Sequence, residues 1–166
     1  MQQRFAHIPV RTVVLLLFLA VLVLPSVAKA QNACRDGQIM LDHNTGSIPD
    51  LGECLWYLED PEQSLTIDEV RAAGEDTLTR HQGGVLNFGY TGSAYWTRFD
   101  LSTRRLTSRS DWILELALPL VDDVRLYLVR DGQLVEQRQT GYLDSWDERD
   151  LAVPNPTFRL RLSPDT

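Results

Sequence analysis

Lysine is almost missing from this chain: Lys29 is the only one, and every later cation is an arginine, a bias that carries no functional weight. Cysteine is confined to Cys34 and Cys54, and histidine beyond the first segment to His43 and His81. Neither histidine sits at ligand spacing from a cysteine, which argues against a cysteine–histidine zinc site. No G-x-S-x-G nucleophile elbow is present, because Gly92-Ser93-Ala94 lacks that context, and there is no glycine-rich phosphate loop. After the first 30 residues no apolar run reaches membrane length.

What is present begins with a targeting pattern. Arg4 and Arg11 give a positive start, the run from Thr12 to Leu24 is apolar without a charge, and Pro25 breaks it. Ala28-Lys29-Ala30 then supplies small residues where a signal peptidase reads, so residues 1–30 are expected to be a signal peptide cleaved after Ala30. An uncleaved membrane anchor is the alternative. The expected location is periplasmic or secreted.

Removing that segment takes away three of the 16 basic side chains and none of the 23 acidic ones, leaving 13 against 23, near −10. Such a surface repels phosphate backbones and anionic headgroups, so nucleic-acid binding is not expected. In an oxidising compartment an even pair of cysteines favours a Cys34–Cys54 disulfide. Closing a loop of about 20 residues would contribute on the order of 3 kcal/mol in the chain-entropy account.

Residues 31–53 are polar and turn-rich, readable as an N-terminal arm or a first edge element. Cys54 to Leu58 suits a strand ended by Glu59-Asp60-Pro61. Thr66 with Glu69 three residues on is a capping-box pattern for one short helix, stopped by Gly74. From Ala94 onward the alternation puts Tyr95, Thr97, Phe99 and Leu101 on one face of a strand and Trp96, Arg98 and Asp100 on the other. Ser102 to Asp111, with Arg104, Arg105 and Arg109, reads as a solvated loop, anion binding being the alternative.

A strand follows over Trp112–Leu118, with Trp112, Leu114, Leu116 and Leu118 on one face. Asp131-Gly132 between two alternating runs signals a hairpin. Thr157–Leu162 forms a last strand with Phe158, Leu160 and Leu162 opposite Arg159 and Arg161. Short strands of roughly 6 residues with one helical excursion predict an all-β fold, an antiparallel β-sandwich or jelly roll.

The order Leu55-Trp56-Tyr57-Leu58-Glu59-Asp60, Ser64-Leu65-Thr66-Ile67-Asp68-Glu69-Val70, Tyr95-Trp96-Thr97-Arg98-Phe99, and the Leu126-Tyr127 to Asp131-Gly132 hairpin resembles a sensor family. It is the type 2 extracytoplasmic sensor domain of bacterial seven-transmembrane receptors with diverse intracellular signalling modules. The resemblance covers Leu55 to Leu162. It implies a periplasmic jelly roll akin to carbohydrate-binding modules over residues 54–166, normally followed by seven membrane helices and a cytoplasmic output. The sequence given stops at Thr166, so the expectation is a sensor lacking its membrane and output parts, tied to the membrane only through those parts or a partner.

Sugars are recognised by flat aromatics under their apolar ring faces and by planar multi-donor groups at their hydroxyls. Trp96 and Arg98, two apart on one face and continued by Asp100, have that chemistry. Asn87 and Tyr90 before the strand, and Tyr142, Asp144 and Trp146 in the late loop, complete the candidate ligand site. The competing reading makes Trp96 core and pairs Arg98 with a buried carboxylate; Trp56 and Trp112 read as core. Asp122-Asp123, or Asp144 with Asp147 and Glu148, offer paired acids for glycoside hydrolysis, but nothing sets two of them across a cleft. The chain is expected to be no enzyme and to need no cofactor or metal. Its ligand is expected to be a carbohydrate or other small molecule, and a homodimer stays open. A free secreted carbohydrate-binding protein, and behind it a small secreted glycoside hydrolase, remain the alternative readings.

Overall fold

The computed structural model describes residues 34–164; the expected signal peptide lies outside them. Among these residues ten strands run in the order β1 (Cys34–Arg35), β2 (Gln38–Asp42), β3 (Trp56–Asp60), β4 (Thr79–Arg80), β5 (Ala94–Arg98), β6 (Asp100–Arg105), β7 (Ser110–Glu115), β8 (Val124–Arg130), β9 (Gln133–Thr140) and β10 (Thr157–Leu162). One short helix, α1 (Ile67–Ala72), follows β3. The strands form four small sheets, ordered β1-β2-β6, β10-β7, β4-β3-β5 and β8-β9. The all-β sandwich expected from the periodicity is what forms. Every pairing is antiparallel except β2 with β6, which run parallel with a register shift between Met40 and Asp42.

The core sits among β2, β6, β7, β8 and β10. Ile39, Leu41, Cys54, Leu106, Phe158, Leu160 and Leu162 are buried there, with Phe99, Leu101, Trp112, Leu114, Val124 and Leu126 packed around them. Alternation along β10 turns its three apolar residues inward and leaves Arg159 and Arg161 outside. Trp112 is core-packed, as the sequence implies. Trp56 is not: it lies half-buried outside this cluster.

Three expectations change. The run from Ala94 is not one strand but two, separated at Phe99: Arg98 still pairs with Trp56 of β3, whereas Asp100 already pairs with Gln38 of β2. A strand that turns a corner in this way serves two sheets. The supposed loop after Ser102 is strand as far as Arg105, with Ser102 and Thr103 buried. Their polarity hid them, but pairing with β2 gives the backbone its partners. Of the two readings of the polar segment before Gly52, the arm gives way to the edge element: β1 and β2 pair in a sheet with β1 at its edge, and Ile39 is among the most deeply buried side chains. Lesser differences are that β3 runs through Asp60 rather than ending at Leu58, and that β7 ends at Glu115.

Cys34 and Cys54 are disulfide-bonded, their Cα atoms 5.6 Å apart, joining β1 to the 3₁₀ turn Gly52–Cys54 just ahead of β3. The helix carries the expected capping box: the Thr66 hydroxyl accepts from the Glu69 N–H, and the Glu69 carboxylate accepts from the Thr66 N–H at 2.7 Å. At the hairpin tip Asp131 and Gly132 have φ of 49° and 72°, the left-handed pair that a two-residue turn between twisted strands requires. The Arg71 guanidinium of α1 donates to the Gly132 carbonyl. Replacing Gly132 by alanine is expected to cost about 1 kcal/mol, since a Cβ meets no neighbour there and only the positive φ resists it. Urea denaturation measures this; an unchanged midpoint would contradict the left-handed turn.

Candidate functional site

The β4-β3-β5 sheet carries the residues singled out from the sequence, and its register decides which of them meet. Leu58 lies opposite Trp96, and Trp56 lies between Arg80 of β4 and Arg98 of β5. Cross-strand partners share a face, so one face presents Trp56, Leu58, Asp60, Arg80, Trp96 and Arg98. The Arg80 guanidinium stands 5.8 Å from the Trp56 ring centroid, and its Nε donates to the Glu53 carbonyl at 2.9 Å. Arg98 meets Asp100 at 3.5 Å, with both side chains about half exposed.

Trp96 is held from two sides. Its indole N–H donates to Asp60 at 3.4 Å, and its ring stacks on Tyr127 of β8 at 5.6 Å between centroids. Asp60 is buried and also accepts from the backbone N–H groups of Ser64, at 3.1 Å, and Leu65, at 3.0 Å. Burial pushes its carboxyl up, but the bonds from Leu65, Ser64, Trp96 and Gln63 outweigh this and hold it below the usual range. The partner of Arg98 is the exposed Asp100, not a buried carboxylate; the buried carboxylate belongs to Trp96.

The opposite face of the same sheet was not singled out in the sequence. Phe88 stacks on Tyr95 with centroids 3.6 Å apart and tilts against Tyr57 at 5.1 Å. Glu59 accepts from the Ser93 hydroxyl at 2.7 Å and the Tyr95 hydroxyl at 2.9 Å. These bonds, Ser93's first, draw the Glu59 carboxyl below its ordinary value. Burial, then Glu59, raise the Tyr95 phenol. The signal for this cluster was the alternation of Tyr57 and Glu59 on β3 with Tyr95 on β5, visible only once those two strands are paired.

The other candidates are dispersed. The Asn87 side chain accepts from the Gly89 N–H at 2.8 Å, shaping the approach to β5, and Tyr90 is fully exposed. Tyr142 is exposed, and the carbonyls of Tyr142 and Asp144 accept from the Arg149 guanidinium. The Trp146 side chain lies outside what is described. Among the described residues no hydrogen bond, ion pair or ring contact joins Tyr142 or Asp144 to Trp96, Arg98 or Asp100. The structure therefore brings together Trp96, Arg98 and Asp100, with Trp56 and Arg80 added, and leaves the late loop apart. No group of three or more histidine, cysteine or acidic side chains among the described residues could hold a metal ion.

A disulfide-joined antiparallel sandwich with aromatic and arginine side chains along one sheet defines a class, the small β-sandwich modules of extracytoplasmic proteins. Residues 52–166 match the family described as 7TMR-DISM extracellular 2, and the chain belongs to it. The family is an extracellular module of seven-transmembrane receptors, which gives the chain a sensor-type role. No curated protein matches the chain. No helix among the described residues is long and apolar enough to cross a membrane.

Proposed function

We propose that this chain is the periplasmic ligand-sensing part of a seven-transmembrane receptor, exported by a signal peptide cleaved after Ala30, and that its ligand is a carbohydrate. In this reading the sandwich is a jelly roll akin to carbohydrate-binding modules, and it recognises its ligand without catalysis. The observation that carries the proposal is the Arg80–Trp56–Arg98 row beside Trp96 and Asp100. Flat aromatics offer a surface to the C–H face of a sugar ring, while guanidinium and carboxylate groups at the edge bond its hydroxyls. Trp96, fixed by Asp60 and Tyr127, supports the platform. Arg98 and Asp100 supply accessible polar groups without needing to move.

Calorimetry against a panel of neutral glycans tests this. Arg98→Ala is expected to weaken binding roughly 10- to 100-fold, the range for a lost charge-assisted hydrogen bond. Its melting temperature should stay near wild type because Arg98 is half exposed. A panel with no binder, or an unchanged affinity in Arg98→Ala, would remove the sugar reading from this face.

A further inference from the structure

A concave site lies on a part of the molecule away from the Trp56–Trp96 face. A groove of about 480 Å³ is lined by Arg109, Glu136, Arg138, Asp150, Arg159 and Arg161. Its origin is the alternation of β10: with Phe158, Leu160 and Leu162 buried, Arg159 and Arg161 stand on the outer face. Arg161 lies opposite Asp111 of β7, two residues after Arg109. Glu136 and Arg138 come from β9, and Asp150 from the connection between β9 and β10.

The acids of this groove are already engaged. Asp150 accepts from Arg138 Nη1 at 2.6 Å and from the Arg159 backbone N–H at 2.7 Å, while Glu136 lies 2.9 Å from Arg138 Nε. Arg138 is thereby clamped, its guanidinium 5.6 Å from the Phe158 ring centroid, and its buried Nη2 has no hydrogen-bond partner. The guanidinium groups of Arg109 and Arg159 meet no carboxylate among the described residues, and Arg161 has only Asp111 at 3.8 Å. Four cations thus face two acids in a chain whose net charge is −7. Guanidinium forks match the oxygens of carboxylate and phosphate, and a local excess of positive charge in an acidic protein concentrates anions there.

We infer that this groove is an anion-binding site, separate from the Trp56–Trp96 face, which takes a small molecule bearing a carboxylate or phosphate group. Arg138 forms its fixed wall, and Arg109, Arg159 and Arg161 supply the free donors. The inference does not depend on the sugar reading, because no residue is common to the two sites.

The purified protein is titrated calorimetrically with inorganic phosphate and with citrate, in buffer free of other polyvalent anions. At least one is expected to bind, with an affinity that falls as sodium chloride is raised. Binding of phosphate alone or of citrate alone names the preferred oxyanion, and either supports the site. The double variant Arg159→Ala, Arg161→Ala is expected to lose about tenfold or more in affinity for that anion, with an unchanged melting temperature when no anion is present. Arg98→Ala is expected to bind it as wild type does. The inference is overturned if neither anion binds, or if the double variant retains wild-type affinity.

Discussion

Asp60→Ala is expected to lower the melting temperature by about 10 °C or more, a large loss for one exchange in a domain of this size. Asp60 is 4% exposed, and its carboxylate accepts three side-chain bonds, from the N–H groups of Ser64 and Leu65 and the Trp96 indole, while the Gln63 N–H bonds its backbone carbonyl. Alanine takes the acceptor from all three partly buried bonds, and a bond to a charged group contributes more than the average one. It also releases Trp96 from one side, so indole emission should shift to the red. Asp60→Asn keeps the shape but offers one acceptor oxygen where two were used, and is expected to fall between wild type and Asp60→Ala. A melting temperature for Asp60→Ala within 2–3 °C of wild type, a shift typical of neutral surface exchanges, would sink this account.

The same carboxylate sets part of the acid limit of the fold. Its pKa is lower in the folded than in the unfolded chain, so its contribution is complete above the unfolded value of about 4 and is lost as pH falls through the folded value. Glu59, Glu69 and Asp42 are also lowered and act in the same direction. Thermal melts between pH 5 and pH 2 should therefore fall steadily for wild type and more gently for Asp60→Ala.

The second large effect is expected from the disulfide. Opening the Cys34–Cys54 bridge, with its sequence separation of 20, is expected to cost about 3 kcal/mol. Cys34→Ala is the better variant, because Cys54 is completely buried against Ile39 and Leu41 whereas Cys34 is only partly so. Urea denaturation with and without a reductant separates the cross-link from side-chain packing. Wild type should lose stability on reduction and Cys34→Ala should not respond. Coincident curves for oxidised and reduced wild type would refute the assignment of stability to this bond.

Local chemistry made several elements legible in the sequence. Asp131-Gly132 states its own backbone angles, Thr66 and Glu69 state their own cap, and β10 alternates cleanly because one face is core and the other solvent. Illegible were features set by a partner far along the chain. Ser102 and Thr103 are polar yet buried, since β2, some 60 residues earlier, pairs with their strand. The break at Phe99 leaves the alternation of the surrounding residues intact, so only the change of partner strand reveals it. Asp60 looks like the polar end of a strand until Ser64, Leu65 and Trp96 converge on it.

The candidate site followed the same division. Spacing alone placed Trp96, Arg98 and Asp100 together, while Trp56 and Arg80 joined them through cross-strand register. Arg109 was noticed as one of three arginines in a presumed loop. Its company with Arg138, Arg159 and Arg161 depends on the closure of β7, β9 and β10 around a common groove.

The corner at Phe99 and the disulfide have a joint mechanical consequence. Chain continuity ties β5 to β6, hydrogen bonds tie β6 to β2 and β2 to β1, and the bridge ties β1 to the turn that leads into β3, which pairs with β5. The path is a closed ring through two sheets. A load applied at β3 is carried around both sides, so those sheets tilt together as one lever instead of sliding past each other. Reduction opens the ring at a single point and leaves strand pairing and the packing of Phe99 against the core to hold the two sheets together.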